Sequence, residues 1–161
     1  MLIRHAKAAN APVDINRPLT DDGSRTAEAI GAWLASEQLV PDRVLVSPAR
    51  RAAQTWEAAS TALSGVPEPV MDERIYDNTV ESLLRAIAAT PDDVRTLVVV
   101  GHNPSIGTTA FALDDGEGDP AARSNLADGF PTGAVAVFEC ALAYADLRPD
   151  TVTLTHFTAP R

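Results

Sequence analysis

Leu97-Val98-Val99-Val100-Gly101-His102-Asn103-Pro104 is the stretch that decides the fold of this chain. Its first four residues are continuously apolar and mostly β-branched. A strand with one wet face would alternate apolar and polar side chains, whereas a strand covered by helices on both faces has no reason to, so the run predicts a buried strand of a parallel sheet. Val44-Leu45-Val46 repeats the pattern upstream, and Leu2-Ile3 reads as the end of a third such strand. Each run is followed by cationic or imidazole side chains: Arg4 and His5 after the first, Arg50 and Arg51 shortly after the second, His102 after the third.

The segments between these runs have helical period. In residues 20–37, Ala27, Ile30, Gly31 and Leu34 share a face, and Thr20 followed by Asp21 and Asp22 predicts a capped, acidic first turn. Residues 49–63 and 104–113 also read as helices, and residues 80–89 as one with Val80, Leu83, Leu84 and Ile87 inward. Residues 67–71 read as a strand. The acidic, weakly periodic stretch 114–129 reads as a surface loop with room for one turn of helix, and a plain connection is favoured over a lid. Residues 134–138 and 152–157 read as closing strands, at least one antiparallel at the sheet edge. The alternation predicts a three-layer α/β/α sandwich around a central, mostly parallel sheet.

With 161 residues and 45% hydrophobic composition, the chain suits one domain spanning 1–161. A formal charge of −9 and a pI near 4.6 make nucleic acid and anionic membrane poor partners, so an anionic substrate must meet a local positive cluster. One cysteine, Cys140, excludes an internal disulfide and fits a reducing compartment; it is expected to be a small buried hydrophobe. No apolar run has transmembrane length, and Arg4 and His5 arrive too early for a signal-peptide core, which predicts a cytoplasmic protein. Met1 to Ile3 is short for a central strand, which leaves room for natural residues upstream of Met1. Oligomeric state is silent in the sequence.

Ser47-Pro48 and Asn103-Pro104 share one punctuation, a capping residue before a proline expected at the first helical position. It fixes Arg50, Arg51 and His102 near helix starts, at the carboxyl ends of strands, where open α/β sheets bind ligands and helix N-termini attract anions. Two histidines and at least two arginines then converge on one crevice. Guanidinium matches a phosphoryl group bidentately and keeps its charge, while imidazole is a nucleophile near neutral pH that would form a phosphohistidine for water to hydrolyse. His156 stands in a terminal strand without a signature and reads as structural. Asn103-Pro104-Ser105-Ile106-Gly107 lacks the first glycine of a hydrolase nucleophile elbow, and no Gly-rich nucleotide loop follows a strand.

These residues resemble the histidine phosphatase superfamily. Arg4-His5-Ala6 is similar to its first signature. Ser47-Pro48-Ala49-Arg50-Arg51-Ala52-Ala53-Gln54-Thr55 is similar to its second, aligning Arg51 rather than Arg50 with the phosphate-binding arginine, and Gly101-His102-Asn103-Pro104-Ser105 to its third. Arg17-Pro18-Leu19-Thr20 and Phe130-Pro131-Thr132-Gly133 extend the likeness over nearly the whole chain, and the small size with Arg-His-Ala-Lys most resembles the SixA branch of phosphohistidine phosphatases.

The resemblance implies a phosphoglycerate mutase-like fold and phosphatase activity through a phosphorylated His5, with Arg4, Arg51 and His102 on the phosphoryl oxygens and no metal or cofactor. It offers Glu73, within Asp72-Glu73-Arg74-Ile75-Tyr76, as proton donor to the leaving group; the competing reading is a surface carboxylate paired with Arg74. Arg17 is a further candidate for substrate contact. The substrate implied is a phosphorylated protein or a small phosphate ester. A mutase-like phosphotransferase and a non-catalytic phosphate-binding module are the alternatives.

Overall fold

The computed structural model describes residues 1–160. The chain runs β1 (Leu2–Arg4), α1 (Asp21–Ser36), β2 (Arg43–Val46), α2 (Arg50–Ser60), β3 (Val70–Met71), α3 (Glu73–Tyr76), α4 (Val80–Ala88), β4 (Leu97–Gly101), α5 (Ser105–Leu113), α6 (Pro120–Ala127), β5 (Val135–Glu139) and β6 (Thr153–Thr158). One six-stranded sheet has the order β3-β2-β4-β1-β5-β6. β3, β2, β4 and β1 are mutually parallel; β5 is antiparallel to β1, and β6 to β5. The mostly parallel α/β sheet of the sequence reading is therefore present, with an antiparallel hairpin on one edge.

All five residues of β4 are buried because the sheet is covered on both faces. Leu97 and Val99 project to the side packed by Ile75, Leu83, Ile87, Ile106 and Leu126, contributed mainly by α3 to α6. Val98 and Val100 project oppositely, with Ile3, Val44 and Val46, onto Ile30 and Leu34 of α1 and Ala52, Trp56 and Ala59 of α2. Thr20 Oγ1 accepts the Gly23 N–H and caps α1 as expected.

Register determines what stands at the top of the sheet. Leu2 and Leu45 both lie level with Val99, and Arg4 lies level with Gly101. The backbone continues the match beyond the strands: His5 N–H donates to Gly101 O at 3.0 Å, and Ser47 N–H to Val100 O at 3.0 Å.

Several local expectations are corrected. Residues 114–129 hold the two-turn helix α6, whose Ala122 and Leu126 are buried and whose Asp119 carboxylate accepts the Ala122 N–H. Two apolar residues four apart were too short a stripe to read as a helix. The strand expected at 67–71 shrinks to an exposed two-residue edge, Val70–Met71. α4 buries Ser82, Leu83, Ala86 and Ile87 rather than Val80 and Leu84. Neither proline occupies the first helical position: Pro48 precedes the N-cap Ala49, and Pro104 is itself the N-cap, after a cis Asn103-Pro104 peptide. Cys140 is exposed, because β5 ends one residue before it; its Sγ–H donates to Leu142 O. Among the described residues, no helix is long and apolar enough to cross a membrane.

α1 and α2 pack closely enough that a Cβ on Gly31 would overlap the Ala59 carbonyl. A backbone atom cannot rotate aside, so the helices would have to separate. Gly31→Ala is expected to cost about 2–3 kcal/mol by overpacking, read as a lower urea midpoint at unchanged m-value.

Candidate active site

The register just described brings the three strand ends together. His5 leaves β1 beside His102 leaving β4, with ring centroids 5.1 Å apart. His5 Nδ1 lies 2.7 Å from Ala6 O, so it carries the proton and donates it to that carbonyl, which leaves a lone pair on Nε2. Arg51 Nε–H meets that lone pair at 3.3 Å. The ring is fixed in orientation and tautomer, with its nucleophilic nitrogen facing a guanidinium.

The second motif supplies the scaffolding for this contact. Thr55 Oγ1 accepts the Ala6 N–H at 3.0 Å and donates to Arg51 O at 2.6 Å, and Gln54 Oε1 accepts the Leu19 N–H. Both side chains tie α2 to the loop that follows His5. Arg51 is buried while Arg50 is exposed, so Arg51 alone of the pair reaches the site.

His102 is buried, with Nε2 2.7 Å from Ser47 Oγ. Ser47 therefore orients this imidazole besides accepting the Ala49 N–H at 3.3 Å. Among the described residues, His102 Nδ1 is buried without a partner, as is Arg4 Nε. Arg4 Nη1 donates to Phe130 O at 2.7 Å, and the Gly133 N–H reaches the carbonyls of both Arg4 and His5, which explains why Phe130-Pro131-Thr132-Gly133 accompanies the first motif.

The structure adds a residue absent from the sequence reading. Asp14, in a one-turn 3₁₀ helix at Asp14–Asn16, accepts Arg51 Nη2 at 3.1 Å, Tyr76 Oη at 3.1 Å and Arg17 Nη1 at 3.3 Å, while its backbone carbonyl accepts Arg51 Nη1 at 2.9 Å. A lone acid in a loop reads as an ordinary turn residue, and only the fold brings Arg51 and Tyr76 to it. Burial opposes ionisation of its carboxyl, but hydrogen bonds from Arg17, Tyr76 and Arg51 hold the pKa below the usual carboxylate value.

The remaining candidates divide. Arg17 reaches the site rim through Asp14, and its charge is felt at His5. Glu73 opens α3 on the surface, and among the described residues its side chain makes no hydrogen bond or ion pair. Its pairing with Arg74 is not observed: Arg74 Nη2 is 2.6 Å from Asp72 Oδ2. A hollow of about 680 Å³, lined by Arg4, Asn103, Asn125, Asp128, Phe130 and Pro131 among others, touches this cluster at Arg4. Among the described residues, no three His, Cys, Asp or Glu side chains gather in a way that could hold a metal ion.

Burial, partly offset by the Ala6 hydrogen bond and reinforced by Arg51, Arg4 and Arg17, lowers the His5 pKa to about 4. Burial, then His5 and Arg51, lower that of His102 to about 3. Both rings are thus neutral at pH 7, beside guanidiniums that stay charged. Such a site suits attack by His5 Nε2 on a phosphoryl group whose negative oxygens the arginines hold.

The signs give a testable pH dependence. Histidine titrates near 6.5 in the unfolded chain but about 4 and 3 here, so below pH 6.5 the unfolded chain binds protons that the folded one refuses. Stability contributed by these sites should fall progressively as pH drops from about 6.5 to about 4 for His5 and about 3 for His102. In NMR titrations the Cε1–H resonances of His5 and His102 should stay at neutral-imidazole positions down to about pH 5. A midpoint near 6.5 for either ring would contradict the site described.

Comparison with known proteins converges on one family. Residues 1–80 match the histidine phosphatase superfamily (branch 1). Uncharacterized protein Rv1276c of Mycobacterium tuberculosis is 36% identical over 163 residues, covering 99% of this chain and 100% of the relative. Phosphohistidine phosphatase SixA of Escherichia coli is 32% identical over 127 residues, covering 74% of this chain and 76% of that one. A solved structure assigned to SixA from Nakamurella multipartitia superposes with a TM-score of 0.85 at 34% identity, over 99% of this chain and 95% of its own. Family match, sequence relatives and fold agree, and the chain belongs to the histidine phosphatase superfamily, in its SixA-like branch.

Proposed function

We propose that this phosphatase removes the phosphoryl group from a phosphorylated histidine of a protein, through a covalent intermediate on His5 and without a metal. The observation that carries the reading is the His5 ring, pinned through Nδ1 to Ala6 O and presenting Nε2 3.3 Å from Arg51 Nε. His5 Nε2 attacks phosphorus. Arg51, Arg4 and His102 Nδ1 hold the equatorial oxygens, with Arg17 at the rim, and the arginines supply the positive charge that a metal contributes in other phosphoryl-transfer sites. The leaving group departs, and water cleaves phospho-His5 to inorganic phosphate.

Two features support a protein phosphohistidine as donor. The E. coli SixA relative bears that activity in its name. Glu73 is exposed and no hydrogen bond fixes its carboxyl beside the His5 cluster, and a departing imidazole needs less help from such a proton donor than a departing alkoxide. A small phosphate ester is the second reading, favoured by the hollow beside Arg4, which has room for the remainder of such a molecule. We further propose a cytoplasmic location, in keeping with the unpaired thiol of Cys140.

His5→Ala should reduce turnover of both aryl phosphate and a phosphohistidine protein by at least about 10³-fold while leaving circular dichroism unchanged. Rapid quench of wild type should trap an acid-labile phosphoenzyme. Retained turnover in His5→Ala would overturn the mechanism, and phosphate binding without turnover in wild type would favour a binding module. Glu73→Gln should alter phosphohistidine hydrolysis less than about threefold, whereas a loss near 100-fold on alkyl esters alone would identify Glu73 as their general acid.

A further inference from the structure

An anion at the mouth of an anion-binding site needs a reason. Asp14 occupies two nitrogens of Arg51 and one of Arg17, N–H donors that a phosphoryl dianion could otherwise take. Its carboxylate opposes substrate binding electrostatically, yet it is held by three side chains drawn from separate parts of the chain. Position suggests what it gains. The Asp14 side chain is 53% exposed and that of Arg51 8%, so the carboxylate stands outward of the guanidinium whose Nε meets His5 Nε2. In an in-line displacement the group that leaves lies opposite the attacking nitrogen, and a leaving group carried by a protein must project to solvent, where the half-exposed Asp14 carboxylate also stands.

Leaving groups differ in the sign of their charge. An alkoxide or phenolate develops negative charge as its bond to phosphorus breaks. The imidazole of a phosphohistidine behaves oppositely: protonated on its free ring nitrogen it is cationic before cleavage and departs as neutral imidazole. A carboxylate beside it favours that protonated ring and opposes a developing oxyanion. From this we infer that Asp14 is a specificity-determining residue, selecting phosphoramidates such as phosphohistidine over phosphate esters; the inference rests on the reading of His5 as nucleophile and phosphohistidine as substrate.

The step balances without a co-reactant. The substrate N–P bond breaks, its electron pair stays on the departing ring, which keeps the proton on its other nitrogen, and a bond forms from His5 Nε2 to phosphorus. Phospho-His5 then carries its own proton on Nδ1, held by Ala6 O, so it is a protonated phosphoimidazole in its turn. Water adds to phosphorus, inorganic phosphate leaves with both protons of that water, and His5 returns to the neutral Nδ1–H form.

The test compares N-phosphoimidazole with p-nitrophenyl phosphate on the full chain, as wild type, Asp14→Asn and Asp14→Glu, with circular dichroism to verify folding. Asp14→Asn preserves shape and removes charge; Asp14→Glu preserves charge, so it maintains the test if the amide disturbs Arg51. The ratio of kcat/KM for phosphoimidazole over the aryl ester should fall about tenfold in Asp14→Asn, the effect of about one pK unit at the leaving group, and stay within about threefold of wild type in Asp14→Glu. Equal losses on both substrates in Asp14→Asn would show that the carboxylate only positions Arg51 and would overturn the inference. An unchanged ratio would do the same. Wild type that cleaves the ester but not phosphoimidazole would sink the phosphohistidine reading first, and this inference with it.

Discussion

The pairing of β1 with β4 is the constraint on which the rest of the molecule depends. Arg4 lies level with Gly101, and the His5 N–H bonds to Gly101 O. A one-residue slip would turn Ile3 to the opposite face and carry His5 away from His102. The slip is resisted by burial on both faces: Leu2 belongs to one apolar layer and Ile3 to the other. Packing of the core and alignment of the site are thus one requirement. β2, paired to the other side of β4, brings Ser47 and then Arg51 to the same height.

Above that platform the fold builds a positive crevice into an acidic protein. The cost of burying Arg51 is offset by the Asp14 carbonyl and carboxylate, and half-buried Arg4 donates to the Phe130 carbonyl; burial, with these guanidiniums beside it, disfavours protonation of His5 and His102. A nucleophile kept unprotonated by burial and neighbouring cations is available across the neutral range. In the proposed reaction, the arginines that would hold the phosphoryl oxygens also keep the His5 nitrogen unprotonated. Ser47 and Thr55 complete the arrangement by fixing the second imidazole and the helix that carries Arg51.

Much of this was legible in the chain itself. Continuous apolar runs such as Leu97 to Val100 encode a double-sided core directly, since their composition must satisfy two faces at once. His5, Arg51 and His102 were legible because each follows such a run at short range. Errors arose where the local signal was thin or ambiguous. α6 offers only Ala122 and Leu126 as a stripe, and Cys140 lies one residue beyond a strand end, where a buried and an exposed thiol look alike in sequence. Ser47 read as a helix cap because the short-range pattern is the same whether its hydroxyl serves a backbone N–H or a distant imidazole.

The sequence by itself determined the fold class, the family and the identity of the side chains at the strand ends, because periodicity and punctuation are properties of neighbours along the chain. Tertiary structure alone decided how those side chains are used. It gave His5 one tautomer through Ala6 O, directed Arg51 rather than Arg50 inward, paired Arg74 with Asp72 rather than with Glu73, and brought Asp14 to Arg51 and Tyr76 across 37 and 62 residues of chain. Hydrogen-bond partners and local fields depend on which distant groups arrive at a few ångströms, and that is set by packing rather than by sequence spacing.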